Sequence, residues 1–398
     1  MDLPRIDHLK VQNYRSLKDF ELKDLTPLTV FLGPNGSGKS TVFDIFSFVS
    51  EAFQTGLRGA WEKRGKFQEM RTHGSDQPIV IDFSFRENAE APVTTYHLKI
   101  DERDGSPFVE EEWVQWRGTR YGAGFKFIDL KRGMAMSRAR LDIKDNRPPD
   151  QISPSDVLTL SVLSQFPKLP RVVALRQFIK SWHFSHMAKS LTFKTDNGPE
   201  QRLSDSADNL ANVILFLKQT QPWVLDKIFQ VLAHRLQDAE HIDPQTIRDL
   251  QQRLKAKDGA EPKEILQAVQ SQDKLKMLSY VTLMHDPNPL ELITIEEPEN
   301  HLELKLLPEL ASECRTAGIN THIMISTHTA QLANALKPRE LWILHKDSSG
   351  RTRAKRAADM PFIDAYLNDG SLLGDLWAKG FFDVAHPDAL ELKPTPTE

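Results

Sequence analysis

Gly33, Gly38, Lys39 and Ser40 stand at the spacing G-x-x-x-x-G-K-[ST], inside the run Gly33-Pro34-Asn35-Gly36-Ser37-Gly38-Lys39-Ser40-Thr41. Glycines so placed let backbone N–H groups close around a β-phosphate. The lysine reaches the β- and γ-phosphates, and the serine hydroxyl offers a ligand to Mg²⁺. A helix opening at Lys39 would set its positive end against the anion. Asn35, Gly36, Ser37 and Thr41 complete the nucleotide-binding candidates. The expected cofactors are ATP and Mg²⁺.

Such a loop needs an acid at the end of a neighbouring strand to hold the metal through water. The apolar run Leu292-Ile293-Thr294-Ile295 ends in Glu296 and Glu297. Glu296 is the candidate metal ligand, and Glu297 the residue that orients and polarises an attacking water. Two adjacent carboxylates after a buried strand need a cation or hydrogen bonds to offset their burial. His328 ends the next apolar run, from Thr321, where an imidazole can touch a γ-phosphate and sense its loss.

These residues need strands and helices to carry them. Short strands are expected between Ile6 and Phe31, the last running straight into Gly33. Val42, Ile45, Phe46, Val49 and Phe53 then follow at helical spacing. From Pro78 to about Phe127 the pattern returns to strands, with Ile79, Ile81, Phe83 and Phe85 alternating and Asp104-Gly105 as a hairpin turn. A polar stretch from about Leu130 to Asp150 marks a boundary. Beyond it the chain reads as helical, with Leu210, Val213, Ile214 and Leu217 on one face and Ser204-Asp205-Ser206 as caps. A helix from Glu261 to Met284 and the acidic strand follow. Then come a helix over Leu304–Arg315, the strand before His328, a helix over Ala330–Leu336 and a last hairpin across Asp347–Gly350. Strand alternating with helix predicts a parallel sheet. The fold class expected is α/β, in three segments: residues 1–130 with the phosphate loop and an antiparallel β lobe, 131–260 as a helical insertion, and 261–398 closing the α/β part.

Composition narrows the remainder. The 398 residues carry a net charge of −4, with 51 basic against 55 acidic side chains. A nucleic-acid contact would therefore be a local patch. Hydrophobic residues at 39% are enough for a sizeable core. The single cysteine, Cys314, excludes disulfide frameworks and cysteine-based metal clusters and fits a reducing cytoplasm. No apolar run approaches the roughly 20 residues of a membrane span. The densest basic cluster, Arg351, Arg353 and Lys355, lies on one face of an expected strand; it reads as a charged edge before it reads as a phosphate contact. Trp113, Trp116 and Trp182 read as core or interface.

Together, Gly33–Thr41, the segment Leu292–Glu303 and the stretch ending at His328 resemble the ABC-type ATPase heads of the RecF and SMC branch. The likeness is nearest to the bacterial predicted-ATPase group that includes the ATPase domains of OLD-family proteins. Asn13, Tyr14 and Arg15 are similar to that group's opening motif, which implies a nucleotide contact for Arg15. The resemblance implies a P-loop head that pairs with a second copy around two ATP molecules. Asn300 and His301 would occupy the D-loop. Ser271 stands where the signature serine, acting on the other subunit's nucleotide, is expected; Gln272, Asp273 and Lys274 replace the usual glycine turn, which implies slow or partner-dependent hydrolysis. Gln68 and Gln77 are candidates for the glutamine that links nucleotide to the lateral lobe.

Three functions follow from the resemblance. The first is a cytoplasmic ATPase switch controlling a separate effector, a nuclease or toxin, in anti-phage defence; the chain ends too soon after His328 for a second catalytic domain of its own. The second is a repair-type ATPase binding duplex DNA directly. The third is an ATP-locked scaffold with little turnover. All three need Lys39. Lys39→Ala should weaken ATP binding about 10- to 100-fold by isothermal titration, the scale of a charge-assisted hydrogen-bond set.

Overall fold

The computed structural model describes residues 5–86, 93–116, 125–131, 134–137, 150–151, 157–163, 170–187, 191–192, 198–238, 249, 251–253, 266, 271–361 and 363–382. The first elements are β1 (Arg5–Tyr14), β2 (Leu17–Lys23), β3 (Leu28–Leu32), α1 (Lys39–Thr55), α2 (Leu57–Lys63) and α3 (Lys66–Met70). Next are β4 (Ile79–Arg86), β5 (Thr94–Arg103), β6 (Ser106–Trp116), β7 (Phe125–Lys131), β8 (Met134–Ser137), β9 (Asp150–Gln151), α4 (Thr159–Leu163), α5 (Pro170–Lys180) and β10 (Trp182–Ser185). Then follow α6 (Leu210–Thr220), α7 (Pro222–Asp238), α8 (Gln272–Met284), β11 (Leu292–Glu296), α9 (Leu307–Ala317) and β12 (His322–Thr327). The last are α10 (Ala330–Asn334), β13 (Leu341–Lys346), β14 (Thr352–Arg356), α11 (Ile363–Asn368) and α12 (Leu373–Ala378). The chain divides into two compact units, each drawn from three stretches. The first takes Met1–Thr26, Gly33–Trp182 and Ile343–Lys355; the second takes Pro27–Leu32, His183–Trp342 and Arg356–Glu398.

The first unit is built on an antiparallel sheet in the order β2-β1-β4-β5-β6-β7-β8-β9. Its strands alternate as expected: Ile79, Ile81, Phe83 and Phe85 of β4 are buried, as are Tyr96, Leu98 and Ile100 of β5. A bulge between Ile6 and His8 resets the parity of β1, so Ile6, Leu9 and Val11 all face inward. Asp104 and Gly105 make the expected two-residue turn, both at positive φ (51° and 69°). Helix α1 lies on this sheet through Phe53 against Tyr96, and Trp182 packs edge-on to Phe46, Phe83 and Phe178. Trp182 is thus core, whereas Trp113 is half-buried and stacks on His97. The sheet does not stop near residue 130. β7 crosses that point and β8 and β9 extend the ladder.

The second unit holds the parallel strands. β11, β12 and β3 run side by side in that order, β10 flanking β11. Their residues are buried on both faces, as a continuous apolar run requires. Two expectations about helix ends change. The helix before Met284 is described from Gln272, with Ser271 as its N-cap; 261–265 and 267–270 lie outside the described residues. The expected Leu304–Arg315 helix begins as a 3-10 turn, Leu304–Leu306, before α9 takes over with Pro308 in its first turn, where a proline costs no hydrogen bond. Ser204 and Ser206 are not caps of α6. The N-cap is Asn209, and Ser204 is instead held in the preceding turn by Asp208 and Asn209, because Ala207 takes a left-handed φ of 57° and redirects the chain. Among the described residues no helix is long and apolar enough to cross a membrane.

Glu112 of β6 is fully buried in the first unit. It accepts hydrogen bonds from Tyr96 Oη (3.0 Å) and the Thr159 N–H (2.6 Å), tying the start of α4 to the sheet. Burial pushes its carboxyl up to about 7, against the pull of those donors. A carboxyl raised on folding lends stability that is complete below its unfolded value near 4.5 and is lost as pH rises through about 7. Urea unfolding should therefore show roughly 2–3 kcal/mol less stability at pH 8 than at pH 5 from this group. Glu112→Gln should flatten that slope.

Candidate active site

In the first unit the phosphate loop leaves Leu32 and turns at Gly33, Gly36 and Gly38. A Cβ on Gly33 would overlap the Leu344 carbonyl oxygen, and one on Gly38 the Thr352 hydroxyl. Gly36 and Gly38 also sit at φ of 78° and 106°. The motif glycines are therefore required by space and by backbone conformation. Lys39 is buried and donates from Nζ to the carbonyl oxygens of Gly33 (2.9 Å) and Pro34 (3.2 Å), folding back over its own loop. Gly38, the N-cap of α1, offers no capping side chain, and no acid stands in the first turn. The first-turn N–H groups are thus free of side-chain caps. Ser37 Oγ is buried without a hydrogen-bond partner. Asn35, Gly36 and Ser40 are exposed, and Thr41 is half-buried. A cradle with uncapped helix N–H groups, no space for a Cβ and an orphaned hydroxyl fits a triphosphate. Ser40 carries a hard hydroxyl oxygen, the donor type magnesium prefers.

Thr352 was marked by no sequence pattern, yet it braces this loop. Its Oγ1 donates to the Ser37 carbonyl (2.9 Å), lies 2.8 Å from Ser16 Oγ and accepts from Lys346 Nζ (3.2 Å). Its N–H donates to the Ser16 carbonyl. Burial holds the Lys346 ammonium below its ordinary range, partly offset by Asp347. The available signal was the lone hydroxyl in the basic run Arg351–Arg356. Alternation turns Thr352 inward; Arg353 is exposed and paired with Asp347 at 2.9 Å, and Arg351 and Lys355 are half-buried.

Arg15 pairs with Asp44 of α1 at 3.0 Å, and Tyr14 donates to the same carboxylate at 2.6 Å. Arg64 binds the other Asp44 oxygen and Glu51 (2.8 and 2.5 Å). Burial, then Asp44, pushes the Tyr14 phenol well above its ordinary value. Asn13 and Arg15 take φ of 59° and 45°, so the chain reverses tightly between β1 and β2. The opening motif thereby anchors α1 directly. Gln68 and Gln77 are both exposed, on α3 and in the turn before β4.

In the second unit the strand ends lie level. Glu296 of β11 is opposite Ser326 of β12, and Thr327 is opposite Leu32 of β3. Glu296 is half-buried, with His186 Nδ1 3.9 Å from its Oε1. Glu297 is left-handed (φ 41°, ψ 61°). Its N–H donates to the Ser326 carbonyl (2.9 Å), and Oε2 accepts from Asn300 Nδ2 (2.9 Å). A non-glycine residue held there stores about 1–3 kcal/mol of strain, a cost found where direction matters. His328 follows β12. Its Nδ1 is 3.0 Å from Glu299 and 3.9 Å from Glu297. Ser271 accepts from the Lys274 N–H at 3.4 Å as the cap of α8. Two further bonds tie that helix to the turn after Glu297: Lys276 Nζ to the His301 carbonyl (2.8 Å) and the Glu303 N–H to Asp273 Oδ1 (2.9 Å). Burial, then the Lys276 charge, lowers the His301 imidazole below its ordinary value. Glu299 also escaped sequence reading; the third carboxylate of Glu296-Glu297-Pro298-Glu299 was the signal.

A family model described as an AAA ATPase domain matches residues 5–276. No curated protein matches the chain. Similar solved structures include an SMC head bound to the C-terminal winged-helix domain of ScpA, at 11% identity and TM-score 0.48, covering 88% of this chain and 96% of that one. An SMC head domain from Thermotoga maritima has 12% identity, TM-score 0.41 and coverage of 88% and 98%. An SMC head with an extended coiled coil, bound to the C-terminal domain of ScpA derived from Pyrococcus furiosus, has 10% identity, TM-score 0.46 and coverage of 92% and 99%. The bracing of the loop by Thr352 is testable. Thr352→Val should weaken ATP binding about three- to tenfold by titration calorimetry, the worth of one or two hydrogen bonds.

Proposed function

The chain belongs to the AAA ATPase domain family, and from that premise we propose that this ATPase works as a nucleotide-dependent dimeric switch acting on a separate partner. One observation carries the reading. The same chain presents an uncapped glycine-rich helix start and a strand-end pair of acids whose second member is held in a left-handed turn.

Lys39 exchanges its loop carbonyls for phosphate oxygens, which are stronger acceptors for an ammonium. Backbone N–H groups of Gly36 to Thr41, including the first turn of α1, take the remaining charge. Ser40 is the residue of the loop that would hold magnesium, and Glu296 is the water-mediated ligand that the resemblance of the acidic strand implies. When bound, the metal neutralises phosphate charge. Glu297 orients the attacking water and draws its proton, its carboxylate aimed by Asn300. His328 contacts the γ-phosphate. Arg15 supports the nucleotide side of the loop through Asp44.

Homodimerisation, with Ser271 facing the other subunit's nucleotide and Asn300 and His301 at the junction, rests on the resemblance of these motifs to the RecF and SMC branch. The bonds from α8 to the His301–Glu303 turn support it, since they join the signature and D-loop positions. A nuclease or toxin effector in anti-phage defence rests on the likeness to OLD-family ATPase domains alone. Direct duplex binding through Arg351, Arg353 and Lys355 is less favoured, because Asp347 already neutralises Arg353.

Glu297→Gln should bind ATP with near-unchanged affinity and hydrolyse it at least about 100-fold more slowly. Phosphate release and size-exclusion with light scattering would read both properties. Turnover equal to wild type removes Glu297 from the role. A trapped variant that stays monomeric with ATP removes the dimeric switch.

A further inference from the structure

Glu299 lies three residues beyond Glu296, and its side chain is only 2% exposed. A carboxylate so deeply buried is costly unless donors surround it. Both of its hydrogen-bond donors come from the segment that carries His328, and both reach Oε1, while Oε2 is buried without a hydrogen-bond partner. Oε1 accepts from Thr327 Oγ1 (2.8 Å) and from the His328 backbone N–H (2.7 Å), and His328 Nδ1 lies 3.0 Å from it as a charge contact. Thr327 Oγ1 in turn accepts the Thr329 N–H, closing the corner after β12.

Two consequences follow from that arrangement. Oε1 already accepts two hydrogen bonds and faces Nδ1 at 3.0 Å, where a nitrogen lone pair would repel it, so the arrangement places the imidazole proton on Nδ1 and leaves Nε2 to meet another group. Glu297, at 3.9 Å from Nδ1, is beyond hydrogen-bond distance and does not hold the ring. The carboxylate that aims His328 is therefore not the one expected to polarise water.

Glu299 also belongs to the short 3-10 turn Pro298–Asn300. That turn holds Glu297 through Asn300, and its continuation is fastened to α8 by Lys276 and Asp273. Ser271 caps the same helix. A displacement of the turn moves Glu299, and with it both the direction of the imidazole and the backbone N–H that carries it.

We propose that Glu299 is the positioning residue for His328: it fixes the Nδ1-protonated tautomer and makes the imidazole follow the turn after the acidic strand. This rests on the reading of His328 as the group that meets the γ-phosphate. Glu299 itself touches no substrate. Its work is to couple the helix behind Ser271 to the imidazole, entirely within the second unit.

The experiment compares Glu299→Gln, His328→Ala and the double variant in steady-state ATP hydrolysis, with nitrogen-15 NMR of the imidazoles in the full chain. Glu299→Gln should lower kcat about 10- to 100-fold and leave KM for ATP within about threefold, the usual scale for a group that orients a functional one. The double variant should be no slower than His328→Ala alone, because the two residues act as one device. Wild-type His328 should show the Nδ1-protonated tautomer, and Glu299→Gln should lose it. Multiplicative losses in the double variant, an unchanged kcat in Glu299→Gln, or an Nε2-protonated wild-type ring would each overturn the proposal. A His328→Ala variant with normal turnover would instead overturn the γ-phosphate reading, while the tautomer still decides the role of Glu299. If Glu299→Gln does not fold, the wild-type tautomer alone carries the decision.

Discussion

The register of three buried parallel strands is the constraint on which the chemistry of this chain depends. Glu296 opposite Ser326, and Thr327 opposite Leu32, bring three strand ends to one level. Each end releases a different group: an acid pair from β11, the His328 corner from β12, and the phosphate loop from β3 by direct chain connection. A two-residue slip of any strand would shift its group by about 6–7 Å, and a one-residue slip would also turn the side chains over. Full burial on both faces prevents either, since every slip would move an apolar residue out of a packed position or a charge into one. Sites at the carboxyl ends of parallel strands are common in open α/β sheets, which is the setting that the roles proposed for Glu297 and His328 need.

Placing acids at the end of a buried strand creates an electrostatic cost, and the chain meets it with fixed donors. Glu299 takes the Thr327 and His328 donors on Oε1, while its Oε2 stays without a hydrogen-bond partner. Glu297 takes the Asn300 amide, and its own N–H is committed to Ser326. In the first unit the cost is of the opposite kind. The start of α1 carries no side-chain cap and no acid in its first turn, and Lys39 uses carbonyl oxygens of the same loop.

Much of this was legible before any coordinates. The phosphate loop was readable because its glycines answer a local steric demand, and local demands leave local signatures. The burial of Val42, Ile45, Phe46, Val49 and Phe53, and the alternation of β4, followed from periodicity for the same reason. Ser204 and Ser206 misled because a hydroxyl before an apolar run satisfies the capping pattern whether or not the backbone turns there. Ala207 turned it, and a left-handed alanine carries no sequence mark. The continuation of the sheet into β8 and β9 was hidden by a polar stretch, since an antiparallel ladder needs backbone partners more than apolar side chains.

By itself the sequence determined the residue types and their order: a phosphate loop between strand and helix, two acids closing an apolar strand, a histidine closing the next. Those are properties of short segments, and spacing along the chain is enough to express them. Only the tertiary structure decided which carboxylate aims the histidine and which hydroxyl braces the loop. Glu299 meets His328 across 29 residues, and Thr352 meets Ser37 across 315. Such pairings come from strand register and hairpin packing, which no local pattern encodes.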